Sequence, residues 1–166
     1  MESQNLLGIL VSAAKQVNQN GVHVHRPSSH IYQYFTYKFL LSQAEHRSKQ
    51  LERLGSIDNK VILIYFTDHL DSIVWFWSIV AAGAIPCICP PLVKDLEQRQ
   101  KNAAHLQELL GNPFVITTGK LASEFPKLNG LRIVTTGKSS SPLRRLQTFI
   151  TLLRSFLQVE DSASKR

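Results

Sequence analysis

The stretch Val61-Ile62-Leu63-Ile64-Tyr65-Phe66 decides the fold class of this sequence. Its residues are apolar without interruption and rich in β-branched side chains, which is typical of a strand buried on both faces, as in a parallel sheet. Thr67 or Asp68 follows and can cap a helix that Gly83 ends. Because that helix is apolar on most sides, including Trp75-Phe76-Trp77, it is predicted to be buried rather than to offer a stacking platform.

The segments after this unit repeat the alternation of strand and helix. Strands are predicted over residues 85–88, 114–117 and 131–135, and helices over 96–110 and 121–125. Such an order requires right-handed crossovers and predicts an α/β fold, a mostly parallel sheet with flanking helices. Before it, the sequence predicts a helix over 5–17, a short β-prone piece over 22–25, and a helix over 36–54.

Composition and charge narrow the class of protein. With 166 residues, 43% of them hydrophobic, the chain can bury one ordinary core and is not disordered as a whole. Its net charge of +7 lies mostly in residues 131–166, which hold seven basic and two acidic residues. Nucleic-acid-binding domains carry basic residues across a folded face, so no nucleic-acid partner is expected. We predict two parts, 1–135 and a divergent basic tail over 136–166, helical over 142–158.

The sequence predicts no membrane segment. The apolar run Leu6–Ala14 follows Glu2 without a preceding Lys or Arg, unlike a secretory leader. The longest uncharged stretch is broken at Pro86, which leaves Ser72–Ile85 as continuous helix. That is shorter than the roughly 20 residues that a bilayer span needs. A cytoplasmic protein is the expectation.

Two patterns resemble phosphate and acid–base sites. Thr136-Gly137-Lys138-Ser139 is similar to the end of a P-loop, but Arg132 stands where the first glycine of that motif belongs. A turn that ends a strand explains it better. Asp68-His69-Leu70-Asp71 lies after a strand, where open α/β sheets place active sites. The start of a helix is the favoured interpretation, because both Asp positions suit capping and the helix dipole.

Histidine and cysteine pairs invite a metal interpretation. His23 and His25 are two residues apart, with His30 nearby, yet no carboxylate or cysteine accompanies them to complete a zinc site. A surface or edge strand is the simpler explanation. Cys87 and Cys89 lie in an apolar strand without a second pair, so we interpret them as small buried residues. Neither pair is assigned as a metal site.

The order of several segments resembles the adenylate-forming family. Phe35-Thr36-Tyr37 is similar to its "(L/I)-T-Y-x-E-L" helix start, although Phe39 replaces the acidic residue. Residues 61–77 resemble its strand and "N-x-x-(D/E)" helix, and residues 81–86 its "A-x-x-A-G-x-x-x-x-P" segment. Residues 106–110 and 114–118 resemble the next helix and strand. Residues 68–77 and 94–99 look particularly like fungal nonribosomal-peptide-synthetase-like adenylation domains.

This resemblance implies an incomplete N-terminal subdomain of the adenylate-forming fold. Complete members use ATP and Mg²⁺ to convert a carboxylic acid into an acyl-adenylate, and then pass the acyl group to a thiol. Their phosphate loop, ribose-binding Asp and C-terminal Lys have no match here. Residues 134–143 resemble the phosphate loop in part, but Leu143 stands where a Lys should follow Pro142. No catalytic, cofactor-binding or metal residue is therefore carried over, and no cofactor is expected for this chain alone.

Three hypotheses follow for function. The first is a truncated adenylate-forming enzyme of secondary metabolism, inactive alone because the ATP-binding motifs are absent. The second is a non-enzymatic partner that docks on a full-length synthetase, or on the missing remainder of the domain, through a sheet edge or the basic tail. The third is a small stand-alone nucleotide-binding enzyme that uses the turns at Thr117-Thr118-Gly119 and Thr136-Gly137-Lys138. The sequence does not name the carboxylic acid.

Overall fold

The computed structural model describes residues 5–17, 20–26, 31–90, 95–126 and 130–136. The predicted helix over 142–158, nearly all of the predicted tail, residues Gly137-Lys138-Ser139 and His30 lie outside these ranges. Within them, no helix is both long enough and apolar enough to cross a membrane.

From β2 onward, helices and strands alternate along the described chain. It runs α1 (Leu6–Ala14), β1 (Gly21–Arg26), β2 (Ile31–Thr36), α2 (Tyr37–Glu52), β3 (Val61–Tyr65), α3 (His69–Ala81), β4 (Ile85–Ile88), α4 (Leu96–Leu110), β5 (Phe114–Thr118), α5 (Gly119–Ala122) and β6 (Arg132–Thr136). The predicted strands and the long helices are confirmed to within a few residues. Two predicted helices are shorter, since α1 ends at Ala14 and α5 ends at Ala122.

Four strands form a parallel sheet in the order β4-β3-β5-β6. Strand β3 is central: Leu63 lies beside Cys87 of β4 on one side and beside Val115 of β5 on the other. Strand β6 continues the sheet, with Val115 beside Ile133. The fold class predicted from the buried run at residues 61–66 is therefore confirmed.

The sheet is buried on both faces, which explains why β3 reads as an unbroken apolar run. On one face, Ile62, Ile64 and Ile116 pack against α2 and α3, and each is at most 1% exposed. On the other face, Leu63 and Val115 pack with Leu121, Tyr65 and Phe125. Each face thus contributes its own half of the hydrophobic core.

Side-chain caps begin the three long helices that follow strands or loops. Thr36 Oγ1 accepts a hydrogen bond from Phe39 N at 3.1 Å, Asp68 Oδ1 accepts from Leu70 N at 2.8 Å, and Asp95 Oδ1 accepts from Gln98 N at 2.8 Å. Each bond satisfies an amide that the first helical turn leaves unpaired. Gly111 ends α4 with a left-handed backbone, φ 64°.

A two-stranded antiparallel hairpin precedes the parallel sheet. Strand β1 confirms and extends the predicted piece at 22–25, whereas β2 was not predicted and is a correction. Val24 and Phe35 are buried on the inner side, at 4% and 5% exposure. Strand β2 forms because it is rich in aromatic and β-branched residues, which suit a half-buried strand, and because the partner β1 satisfies its backbone.

Candidate functional site

The carboxyl ends of β3, β5 and β6 form the edge where parallel α/β sheets place their sites. Thr117, Thr118 and Thr136 lie at this edge, and each uses its hydroxyl within the fold. Thr117 Oγ1 donates to the Tyr65 carbonyl at 2.7 Å, and Thr136 Oγ1 donates to the Thr117 carbonyl at 3.2 Å. Thr118 Oγ1 accepts from Leu121 N at 3.3 Å. The hydroxyls hold neighbouring strands together and begin α5.

Residues 68–71, which the sequence offered as a possible acid–base site, form the start of helix α3. Asp68 Oδ1 accepts hydrogen bonds from Leu70 N at 2.8 Å and from Asp71 N at 3.2 Å. His69 is exposed, while Asp71 lies in the first turn of α3, where a carboxylate favours the helix dipole. These contacts are those of a side chain that caps a helix, as the favoured interpretation predicts.

A buried cation–aromatic cluster joins α2 to α3. Arg47 Cζ lies 5.0 Å from the ring centroid of Trp75, and Arg47 Nη1 lies 3.7 Å from Asp71 Oδ1. The ring of Phe66 lies parallel to that of Trp75, with the centroids 6.4 Å apart and an interplanar angle of 4°. Burial lowers the pKa of Arg47, and the carboxylate of Asp71 partly offsets that effect. Trp75 is 4% exposed, as its core assignment predicts, whereas Trp77 is only half-buried.

Cys87 lies in strand β4 and Cys89 directly follows that strand, on the same side of the sheet. Both are half-buried free thiols that pack against the core cluster of Leu63, Tyr65 and Val115. The prediction of full burial was too strong, because β4 is an edge strand of the described sheet. Burial, followed by the nearby Cys87, raises the pKa of Cys89 to about 11. The Cys89 thiol therefore stays protonated near neutral pH, unlike a reactive thiolate.

The hairpin brings together side chains that the sequence left separate. His23 pairs with Tyr34 and His25 with Tyr32, and the ring centroids of each pair are 4.8 Å apart. The alternation of the exposed Tyr32 and Tyr34 with Gln33 and the buried Phe35 was the signal for this arrangement. No group of three or more His, Cys, Asp or Glu side chains suited to a metal occurs in the described ranges.

Comparisons of the sequence point to fungal synthetases. No family model matches the chain. A nonribosomal peptide synthetase of Ascocoryne sarcoides, acyN, is 37% identical over 134 residues, which are 79% of this chain and 14% of that protein. Another from Aspergillus terreus, btyA, is 29% identical over 80% of this chain and 14% of that protein. The chain thus spans about one seventh of the length of these curated relatives.

Comparisons of the fold agree. The adenylation domain of a keto acid-selecting synthetase module, solved with a keto acyl adenylate, matches 80% of this chain at a TM-score of 0.68, with 23% identity, over 25% of the solved chain. The chain carries part of the adenylate-forming fold. A fatty acid AMP ligase from Legionella pneumophila matches 81% of it at a TM-score of 0.62, with 18% identity, over 23% of that chain.

The adenylate-forming resemblance stated from the sequence is therefore confirmed, as is the incomplete subdomain of that fold. The motifs that carried it occupy regular positions: Thr36 is the cap of α2, and Asp68 is the cap of α3. Pro86 lies in the edge strand β4. The matched motifs at these positions build the scaffold. This explains why no functional residue could be carried over with them.

Proposed function

We propose that this chain supplies an early portion of an adenylation domain and that it forms no acyl-adenylate by itself. The observation that carries the proposal is the disparity of coverage: about 80% of this chain matches about 25% of a solved adenylation domain. In this proposal residues 1–135 are the subdomain portion and 136–166 a divergent tail. ATP and Mg²⁺ act in complete relatives, and the pathway is a cytoplasmic one of secondary metabolism.

The chemistry of acyl-adenylate formation supports inactivity of the chain alone. A carboxylate attacks the α-phosphate of ATP in line, so catalysis depends on charged groups placed around the phosphates. In the described sheet, the carboxyl edge carries Thr117, Thr118 and Asp68, whose oxygens bond to backbone groups of the fold. This edge holds strands in place, and the charges for ATP must come from elsewhere in a complete domain.

A transplant tests the proposal directly. The 134 aligned residues of the Ascocoryne sarcoides synthetase are replaced by those of this chain, and exchange of pyrophosphate into ATP is measured with the parent's own acid. We expect the 166-residue chain alone to show no exchange and the chimera to show it. A chimera that melts like its parent but lacks exchange would contradict the proposal, as would exchange by the chain alone.

A second candidate, docking on a synthetase or on the remainder of a domain, rests on the unequal edges of the sheet. At the β4 edge, the amide of Ile85 bonds to the carbonyl of Lys60, directly before β3, and the amide of Cys89, directly after β4, bonds to the carbonyl of Ile64, both at 2.9 Å. Residues alternate along a strand, so Pro86 and Ile88 turn their backbone groups outward. Pro86 has no amide hydrogen to donate, which makes β4 a poor template for a further strand.

The opposite edge is suited to pairing. Arg132 N bonds to the Pro113 carbonyl at 3.4 Å, so Ile133 and Thr135 direct their backbone groups away from β5. Each of these two residues offers both a donor and an acceptor. Among the described residues no strand pairs with this edge of β6. A partner strand added there would extend the sheet by β-augmentation.

Proline variants separate the two edges. Ile133→Pro removes an outward amide from β6, and Ile88→Pro, the matched control, removes one from β4. We expect Ile133→Pro alone to abolish co-purification with a full-length synthetase, and the wild-type complex to survive high salt. Salt-sensitive binding that tolerates Ile133→Pro would instead assign docking to the basic tail.

The stand-alone nucleotide-binding hypothesis stays a prediction. Its first turn, Thr117-Thr118-Gly119, has both hydroxyls engaged in the fold, and most of the second lies outside the described residues. Micromolar binding of ATP or AMP, lost in Gly137→Val, would support it over both candidates above.

A further inference from the structure

The outward face of the hairpin carries two histidines in a defined geometry. His23 and His25 are both exposed, whereas Val24 between them is 4% exposed. Side chains alternate along a strand, so the two imidazoles leave the backbone on the same side, toward solvent. Each lies directly opposite a tyrosine of β2 in the antiparallel register.

We propose that His23 and His25 form a bidentate surface site for a late first-row divalent cation, for which Cu²⁺ is the best fit. Residues two apart on a strand have Cα atoms about 6.8 Å from each other, from two rises of 3.4 Å. Two imidazoles can converge from that separation on one ion at the usual metal–nitrogen distance of about 2.0 Å. A tetragonal Cu²⁺ ion takes two neighbouring nitrogen ligands and keeps water at its other positions.

The hairpin fixes the spacing of the two ligands before any ion binds. Six residue pairs, from Gly21 with Thr36 to Arg26 with Ile31, hold β1 in register with β2. Contact of each imidazole with a tyrosine ring, at 4.8 Å between centroids, further limits its motion. Ligands that are already ordered lose less conformational entropy on binding.

The choice of cation follows from the number of ligands. A structural zinc site takes four protein ligands, and the described residues hold no group of three or more candidates. Two imidazoles suit an ion that binds nitrogen strongly with few ligands, and among the divalent first-row metals Cu²⁺ binds such sites most strongly. The site is consequently open and exchangeable, with positions left for water or a small ligand.

Titration of the full 166-residue chain with CuSO₄, in a buffer that does not coordinate Cu²⁺, tests the proposal. We expect one tight equivalent per chain by calorimetry and a two-nitrogen signature by electron paramagnetic resonance. His23→Gln and His25→Gln should each weaken binding at least about tenfold, because the second imidazole binds as an intramolecular ligand. His46→Gln and His105→Gln, exposed histidines on α2 and α4, are matched controls that leave the affinity unchanged.

Several outcomes would overturn the assignment. These are an affinity that survives both hairpin variants, a one-nitrogen signature in the wild type, or a loss confined to His30→Gln. Tyr32→Phe, which keeps the ring and removes the hydroxyl, should bind Cu²⁺ as the wild type does, and a lost tight phase would replace the two-imidazole site by a phenolate one. Thermal melts of each variant verify that the hairpin residues were changed without unfolding the chain.

Discussion

The guanidinium group of Arg47 lies over the indole of Trp75, with Cζ 5.0 Å from the ring centroid. This contact links α2 to α3 above the core face that Ile62 and Ile64 supply. Side chains of Arg47 and Asp71 are only 14% and 18% exposed. A cation held against an aromatic face away from water is worth more than one at the surface.

Replacing this arginine is expected to destabilise the fold. Arg47→Ala should lower the free energy of unfolding by about 1–2 kcal/mol, measured by urea denaturation, since the cation–aromatic contact and the packed side-chain stem are both lost. Arg47→Lys should fall between, because an ammonium lacks the planar group that stacks. Lys49→Ala, an exposed change on the same helix, is the control. An Arg47→Ala protein as stable as that control would refute the contribution.

The cap of α3 gives a second prediction. Asp68→Ala should cost about 1 kcal/mol of unfolding free energy, because Leu70 N and Asp71 N lose their acceptor. Asp68→Asn retains an acceptor oxygen and should remain close to wild type in the same urea titration. Equal losses in the two variants would mean that the charge of Asp68, and not its capping bonds, matters.

The backbone of β2 lies too close to Gly21 for a larger residue to fit there. A Cβ at this position would run into the carbonyl of Phe35 and lie 2.7 Å from Thr36 Cα, both backbone atoms of β2. Gly21→Ala should therefore destabilise by about 1–3 kcal/mol in urea titrations. Gly119→Ala is the matched control, since nothing lies within 4 Å of its Cβ position. A neutral Gly21→Ala would mean that β1 and β2 separate freely.

Chemical modification tests the raised pKa of Cys89. With a pKa of about 11 in place of 9.0, the thiolate fraction at pH 8 falls about 100-fold, and alkylation of the folded chain should slow by a similar factor. Site-resolved mass spectrometry after iodoacetamide treatment measures this. Denaturant should restore the ordinary rate at Cys89, and equal rates in folded and unfolded chain would contradict the burial.

The same thiol couples stability to alkaline pH. Its folded pKa lies above the unfolded value, so the folded chain holds the proton more tightly. Stability is then intact below pH 9.0 and declines as pH rises from 9.0 toward 11. Cys89→Ala removes this component, and its unfolding free energy should decline less across that window. A parallel decline in both proteins would assign the loss to other groups.

The sequence predicted the parallel sheet well because its strands are buried on both faces. A continuous, β-branched run such as residues 61–66 is typical of such a strand, and the caps of the next helices lie close to where the sequence predicted them. Strand β2 was harder, since Tyr32 and Tyr34 are exposed and its stability comes from pairing with β1. That pairing joins two separate segments of the chain, and β2 itself contains no unbroken apolar run, since Gln33 interrupts it.

The candidate sites were predictable only in part. A helix cap at Thr67 or Asp68 was predicted and the structure selects Asp68, whereas the approach of Arg47 to Trp75 depends on how α2 and α3 pack. Likewise, the spacing of His23 and His25 predicts that they share a face, but their tyrosine partners follow from the hairpin register. Contacts between distant segments are set by packing, which single-sequence patterns do not encode.

The order of the sheet has a consequence for how the chain is made. Of the four strands in this sheet, β3 is synthesised first. Strand β4, which contains Pro86, then pairs with one side of β3, and β5 and β6 add in turn on the other side. No strand has to be inserted between two that are already paired. Assembly during synthesis can therefore proceed outward from β3, with each newly made strand docking on a free edge of the sheet already formed.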